Sequence, residues 1–347
     1  MPKDPEELVV EALAALDRSD AKTALQLADE AAALDAGLSM AHRCRAAALV
    51  DLERRDDAEE AFRRALELEA DDPELLLDVA EFLLTMRGED LEKIEEALEL
   101  AQRGREIAES EDDEELAAEL AVVEAMALNT LGDPEGALEA LDAAAGELGQ
   151  RPDLLAERGH ALFELLRVPE AKAALEAALK LTPDDPWANH LLGLVLERTG
   201  DPAEAERRLA KAQRIAPDEF PAPVRLTSEE FDAAIREAVE QLPDEIREQV
   251  TATLVSVKDL PDDHDLRDAA ADHPLSPMSL GMFRGPSLRD QAASGELPPQ
   301  IFLFQRNLER SARSRDELVE QIRITVLHEV GHLLGLSEED LHGRGLE

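Results

Sequence analysis

From residue 5 to residue 219, small and apolar positions recur with a period of 34 residues. With Pro152 and Pro186 taken as starts of successive units, small residues fall on the eighth position (Gly159, Gly193). Alanine occupies the twentieth (Ala171, Ala205) and twenty-seventh (Ala178, Ala212), and leucine the twenty-fourth (Leu175, Leu209). Within each unit the apolar positions are three and four apart, the spacing of an amphipathic helix, and the unit is long enough for two of them. Small residues let the two helices of a hairpin approach closely. Larger apolar residues fill the groove to the next unit.

The frame runs back up the chain. Units starting at Ala118, Ser39 and Pro5 keep the small positions (Ala125 and Ala137; Ala46 and Ala58; Ala12 and Ala24), and the unit at Pro73 keeps Ala80 and Leu83 with extra residues near 87–93 and 109–114. Six units are predicted. Gly132-Asp133-Pro134 and Gly200-Asp201-Pro202 each supply a helix-ending glycine, an N-cap aspartate and a first-turn proline. This pattern resembles the tetratricopeptide repeat. The resemblance implies an α-solenoid that binds peptides or protein segments on its concave face. It also implies groove positions in the last two units that include His160, Phe163, Trp187 and His190. The alternative for these residues is packing against the following domain or capping of the array.

Beyond about Phe220 the period stops, and nine prolines between 221 and 299 cut the chain into short elements. Leu226–Leu242 reads as an amphipathic helix capped by Thr227 or Ser228. Val250–Val257 has strand composition, although Glu245–Leu254 fits one helix equally well. Ile301–Gln305 after Pro298-Pro299 reads as a strand. The last long helix begins at a capping box, Ser314 and Glu317. Leu318, Ile322, Ile324, Val326, Leu327, Val330, Leu333 and Leu334 make it apolar almost all round. One polar stripe survives in it: Gln321, Thr325, His328 and His332. Polar groups on a buried helix call for partners or a task.

Histidines four apart project from one helix face and bring two ring nitrogens about 3 Å apart, close enough to share a zinc at ~2.0–2.1 Å. Glu329, directly after the first histidine, is placed for proton transfer beside that metal. Gly335 suits a left-handed helix stop. The run His328-Glu329-x-x-His332-x-x-Gly335-x-x-Glu338 has the metzincin spacing, in which the chain turns at glycine and brings a third ligand under the metal. Glu338 is the expected third ligand, with Glu339 and Asp340 as rivals. His342 is a further candidate for metal or substrate.

Residues 224–347 also resemble the minimal zincin-like metallopeptidase family of bacteria. The matching segments are Phe231 to Pro243, Leu280 to Gly285, Leu297 to Phe304 and His328 to Leu341. The resemblance implies a compact α+β zincin domain with one zinc per chain on two histidines and an acidic ligand, and no particular substrate. Family members often carry tyrosine at the position of Phe283, whereas this chain has none. Oxyanion or substrate contact would then fall to Arg284, His342 or a backbone N–H.

The fold expected is thus mainly α, with a tetratricopeptide-like solenoid over 1–219 followed by a small α+β domain over 220–347. The activity expected is zinc-dependent peptide-bond hydrolysis guided by a protein-binding array; the alternative is a non-catalytic metal-binding scaffold or adaptor. A formal net charge of −44 repels nucleic-acid phosphates and anionic lipid, which excludes both as partners and leaves proteins or peptides. The single cysteine, Cys44, excludes an intrachain disulfide framework and reads as a small buried residue. The N-terminus lacks a leader pattern and no run approaches 18 apolar residues, so a cytoplasmic location is expected. His264 and His273 lie in an acidic loop and read as solvated.

Overall fold

The computed structural model describes residues 4–87, 90–144, 150–268, 275–287 and 298–337. The chain divides into two compact units, Met1–Ala205 and Glu206–Glu347. Among the described residues there are seventeen helices and three strands, and no helix is long and apolar enough to cross a membrane.

Ten helices form five successive hairpins: α1 (Pro5–Leu16) with α2 (Ala21–Leu34), α3 (Ser39–Asp51) with α4 (Arg55–Leu68), α5 (Pro73–Arg87) with α6 (Leu91–Ser110), α7 (Glu114–Thr130) with α8 (Pro134–Ala144), and α9 (Pro152–Glu164) with α10 (Val168–Leu181). In the chain α11 (Pro186–Arg198) and α12 (Pro202–Ile215) follow. The extra length of the third unit is taken up by α6, which has 20 residues where its counterparts α2 and α4 have 14. Odd-numbered helices stack on odd ones: α1 on α3, α5 on α7, α7 on α9 and α9 on α11.

The small residues of the 34-residue frame sit at helix crossings. A Cβ placed on Gly159 would lie 2.5 Å from Leu175 Cγ, and one on Gly104 would lie 2.8 Å from Leu120 Cδ2. Ala12, Ala24, Ala46, Ala58, Ala80, Ala125, Ala137, Ala171 and Ala178 are all at 0% exposure, so the positions read as packing residues are the core. Phe62 and Phe82 meet in it with ring centroids 5.2 Å apart. Cys44 is buried, and burial pushes its thiol up to about 11, as expected of an inert core residue.

The turns inside the hairpins share one geometry that the sequence only half reveals. Gly132 and Gly200 are left-handed, as expected; so are Ser19, Glu53 and Leu166, which are not glycine. In each case the next N–H reaches back to close the helix, as in Asp20 N to Ala15 O at 2.9 Å, Arg54 N to Leu49 O at 2.9 Å and Arg167 N to Leu162 O at 2.8 Å. The αL stop is therefore imposed by the hairpin packing, and non-glycine residues pay its steric cost.

In the second unit, α13 (Ser228–Glu240) is closed by a complete capping box at Thr227 and Glu230. The ambiguous stretch after it contains both elements: α14 (Asp244–Ala252) stops at the extended Thr253, and strand β1 (Leu254–Lys258) follows at once. Then come α15 (Asp263–Asp268), β2 (Gly281–Arg284), β3 (Gln300–Phe304), α16 (Gln305–Ser311) and α17 (Arg315–Leu333). The sheet order is β1-β3-β2, with β1 parallel and β2 antiparallel to β3.

Ile301 and Leu303 point from β3 into a core shared with Phe231, Ala234 and Ala238 of α13 and with Leu318, Ile322, Val326 and Val330 of α17. On the opposite face Phe302 and Phe304 pack with Met282 and Leu275. The buried Glu309 of α16 ties the start of this unit down: Gln305 Nε2 and Leu226 N both donate to its Oε1, at 2.8 and 3.1 Å, and its backbone carbonyl accepts from Val224 N at 2.9 Å.

Replacing the exposed Glu53 by glycine should relieve the left-handed strain without removing a packing contact. Glu53→Gly is expected to raise the midpoint of urea unfolding by the equivalent of roughly 0.5–1 kcal/mol, the αL penalty less the greater flexibility of unfolded glycine. A lower midpoint would show that the turn does not need αL at this position.

Candidate metal centre

Helix α17 carries His328, Glu329 and His332, and its two ends are fixed by local rules. Ser314 caps its start, accepting from Glu317 N at 3.2 Å, while Glu317 Oε2 accepts from Arg313 N at 2.7 Å, so the expected capping box is shifted by one residue on its return arm. At the other end Gly335 is left-handed, Gly335 N donates to His332 O at 2.9 Å and Leu336 N to Gly331 O at 3.0 Å. This is a Schellman stop, and it ends the helix immediately after the second histidine.

His328 and His332 are half-buried and turned toward each other. Their Nε2 atoms are 3.1 Å apart, with ring centroids at 4.8 Å and ring planes at 79°. Two nitrogens sharing a tetrahedral metal at ~2.0–2.1 Å are separated by little more than this, so the pair fits two ligands of one zinc. Among the described residues no third histidine, cysteine or carboxylate joins them. The third-ligand candidates Glu338, Glu339 and Asp340, together with His342, lie outside the described residues, as does His273.

Glu329, next to His328 in the sequence, is buried at 6% exposure against strand β2. Thr325, one turn before it, is equally buried, and its hydroxyl donates to Gln321 O at 2.8 Å. Strand β2 comes down on this ridge at Gly281. A Cβ there would lie 2.6 Å from Thr325 Cγ2 and 3.1 Å from Glu329 Oε1, and 3.1 Å from the backbone oxygen of Phe302. Only a residue without a side chain lets the strand pass this close to the carboxylate. Gly281 was not singled out by the sequence reading; its one signal was a glycine at the start of a short strand.

The seat of β2 is prepared from both sides. Asn307 Nδ2 donates to Pro277 O at 3.1 Å and Ser279 O at 2.8 Å, which holds the approach to the strand. Phe304 N donates to Leu280 O at 2.9 Å. The far face of the sheet carries Asp265, which is fully buried. Both its oxygens accept from Lys258 Nζ of β1 at 2.7 Å, and Oδ1 accepts from Arg284 Nη2 of β2 at 3.0 Å. The two cations lie 4.7 and 5.3 Å from the ring centre of Phe302 on the intervening strand. Burial disfavours the ammonium of Lys258, but the carboxylates of Asp262, at 2.8 Å, and Asp265 outweigh this and raise its pKa.

Arg284 is thereby placed away from the histidine pair. Register puts it opposite Gln300 and beside Met282 and Phe302, on the face turned from α17, whereas Gly281 and Phe283 share the α17 side. The oxyanion role expected of Arg284 does not fit this placement. A period-2 reading of β2 would have shown it, had the strand been recognised. Phe283 packs into the core next to α17, without a hydroxyl to offer. His264 is exposed, with Nδ1 at 3.3 Å from Arg284 Nη2.

In the repeats, His160, Trp187 and His190 come together. Trp187 stands edge-on to His160 with centroids at 5.2 Å and is stacked on His190 at 6.0 Å. Phe163 is buried at 2% and cannot line an open groove. The group that gathers the others was missed. It is Glu157, buried at 5%, whose carboxylate accepts from Trp187 Nε1 at 2.9 Å and Asn129 Nδ2 at 3.3 Å and lies 3.5 Å from His160 Nδ1. Burial alone would lower the pKa of His160; Glu157 and then Glu164 raise it overall.

Fold and site together define a helical-repeat protein joined to a small α+β domain that presents an HExxH helix beneath a three-stranded sheet. Residues 250–346 match the model of the zincin-like metallopeptidase family, and residues 45–72 and 157–220 match models of the tetratricopeptide repeat. The chain therefore carries tetratricopeptide repeats fused to a zincin-like metallopeptidase domain. No curated protein matches it. Among solved structures, pilF of Pseudomonas aeruginosa is similar at 16% identity and a TM-score of 0.51, over 66% of this chain and 96% of that one. PilW, a type IV pilus biogenesis factor, is similar at 17% and 0.52, over 62% and 94%. The APC/C hetero-tetramer Cut9-Hcn1 is similar at 20% and 0.51, over 62% of this chain and 41% of that one. Such likeness shows the solenoid fold alone.

The contact at Gly281 is directly testable. Gly281→Ala is expected to cost about 1–3 kcal/mol in urea unfolding, as overpacking against a rigid backbone does. Adding Thr325→Ser, which removes Cγ2 but keeps the hydroxyl, should recover part of the loss. An unchanged midpoint in Gly281→Ala would mean that strand and helix are not in contact here.

Proposed function

We propose that the chain is a zinc-dependent peptidase in which a repeat array over 1–219 holds a protein or peptide and a zincin domain over 220–347 cleaves it. The observation that carries this reading is the pair of Nε2 atoms 3.1 Å apart with a buried glutamate directly beside it. A purely structural zinc site has no use for that glutamate.

His328 and His332 would hold the metal, with an acidic third ligand from 338–340. When bound, the zinc supplies a Lewis acid that polarises the scissile carbonyl and brings the pKa of a water to roughly 7. Glu329 accepts a proton from the water that attacks the carbonyl carbon, and returns it to the amine nitrogen as the C–N bond breaks. Burial of Glu329 under β2 keeps bulk water from competing for this proton. The outer edge of the antiparallel strand β2, which pairs with no further strand among the described residues, suits an extended substrate backbone.

A second reading, a metal-binding scaffold without hydrolysis, is favoured by two placements: Phe283 where a hydroxyl would help, and Arg284 on the wrong face. Metal content by elemental mass spectrometry tests what both readings share. About one zinc per chain is expected in the wild type and almost none in His332→Ala; a metal-free wild type after zinc reconstitution would sink both. Glu329→Gln separates them. It should keep the zinc and lose cleavage of a quenched-fluorescence peptide library by about 10²–10⁴-fold, the usual weight of a general base. A library left uncut by the zinc-loaded wild type favours the scaffold.

A further inference from the structure

We propose that His160, set between Glu157 and Glu164, is a proton-operated joint in the repeats: its charged ring locks α9 to α11, and its neutral ring loosens them. The joint lies wholly in the first unit and has no part in the metal reading.

The His160 side chain is only 12% exposed, and each of its nitrogens faces a carboxylate of its own helix. Nδ1 lies 3.5 Å from Glu157 Oε2, and Nε2 lies 3.9 Å from Glu164 Oε1. The acids stand three residues before and four after the ring, so all three share one helix face. A neutral imidazole carries one N–H and one lone pair. Whichever tautomer it takes, one lone pair points at a carboxylate. Only imidazolium, a donor at both nitrogens, matches both neighbours. Nδ1 is buried without a hydrogen bond, so a proton gained there finds its acceptor in Glu157.

Glu157 passes the effect on. Its carboxylate accepts from Asn129 Nδ2 of α7 at 3.3 Å and from Trp187 Nε1 of α11 at 2.9 Å, so one group of α9 holds three successive odd-numbered helices. Both donors are neutral. With His160 neutral, a carboxylate only 5% exposed rests on neutral donors; with His160 charged, it gains a counter-charge and a further donor. Trp187 stands edge-on to the His160 ring at 5.2 Å, so imidazole, carboxylate and indole form one packed block between α9 and α11.

Burial, the largest influence on His160, lowers its pKa, and Glu157 and Glu164 together overcome this and hold it above the ordinary 6.5. The neighbouring helices bring other charged groups, each with its own place. His190 of α11 is stacked on Trp187, and Glu197 and Arg198 stand about two turns beyond it. Asp142 of α8 pairs with Arg158, Lys172 of α10 with Glu176, and Glu124 of α7 with Arg105. A raised folded-state pKa fixes the sign: the lock is complete below pH 6.5 and is lost as pH rises through the folded midpoint.

The test uses the full chain, isotope-labelled at histidine and titrated from about pH 5 to about pH 9, with side-chain NMR and the emission of Trp187, the single tryptophan, read together. The His160 resonance, assigned by its loss in His160→Gln, should titrate with a midpoint above 6.5. Trp187 emission should change with the same midpoint in the wild type and in His190→Gln, and should stay flat in His160→Gln. Glu164→Gln, which leaves the bonds of Glu157 to Asn129 and Trp187 in place, should lower the midpoint by roughly half a unit to one unit. Amide exchange of α11, taken relative to α1 so that the intrinsic pH dependence cancels, should rise about threefold across the midpoint, the linkage expected of a half-unit shift. Glu164→Gln keeps the buried ring and reads the same joint should His160→Gln fail to fold. A midpoint at or below 6.5, one unmoved by Glu164→Gln, an emission change that survives in His160→Gln or vanishes in His190→Gln, or α11 exchange that ignores the midpoint overturns the proposal.

Discussion

The approach of strand β2 to helix α17 at Gly281 is the contact on which the candidate metal centre depends. A buried carboxylate survives only where its surroundings are fixed, since a few tenths of an ångström decide whether it is wet, paired or stranded. Here the fixing is mutual. The strand can descend because Gly281 has no side chain, and the helix ridge of Thr325 and Glu329 is flat enough to receive it. Every neighbouring device serves the same seat. Asn307 holds the chain that enters β2, and Asp265 ties its far end to β1 through Lys258 and Arg284. The site is thus built on a helix packed along one face of a sheet, with the polar staple on the other face.

The helix stop at Gly335 is the second constraint, and it follows from the first. With β2 over Glu329, the chain beyond His332 must leave the helix without disturbing the histidine pair. A Schellman turn does this in two residues and satisfies the last carbonyls, Gly331 O and His332 O, on the way. The geometry of the motif and the position of the glycine are therefore one requirement.

Much of this was legible in the sequence, and the reason is that period and chemistry coincide there. The 34-residue frame marks helix crossings because only small residues fit them, and Gly159 and the buried alanines show this. The HExxH spacing is legible because a helix turn fixes the distance between residues four apart. The rest depended on tertiary contacts that no local pattern encodes. Ser19, Glu53 and Leu166 adopt the left-handed turn against their own preference, because the packing of their hairpins demands it. Residues 245–257 contain both a helix and a strand with a single residue, Thr253, between them, too abrupt for a periodicity window to divide. The run from Asp262 to Asp265 has the composition of a solvated acidic loop, yet Asp265 is fully buried, because its cations come from strands on either side of it in the sequence.

Buried carboxylates recur in both units, and comparing them shows what sets Glu329 apart. Glu124 is held by Gln102 and Arg105, Glu157 by Trp187 and Asn129, Asp265 by Lys258 and Arg284, and Glu309 by Gln305 and the amide of Leu226. Each of these joins separate elements, which is how a chain with so many acids organises a core short of aromatic rings. Burial of an acid is therefore common here and argues for structure by default. The distinction of Glu329 lies in its neighbours: two imidazole nitrogens turned toward each other within one turn, and a strand that needed a glycine to come near. A staple needs donors from elsewhere in the fold, whereas a group proposed to move protons needs a metal-binding pair beside it. Only Glu329 among these five carboxylates has such a pair as its sequence neighbour.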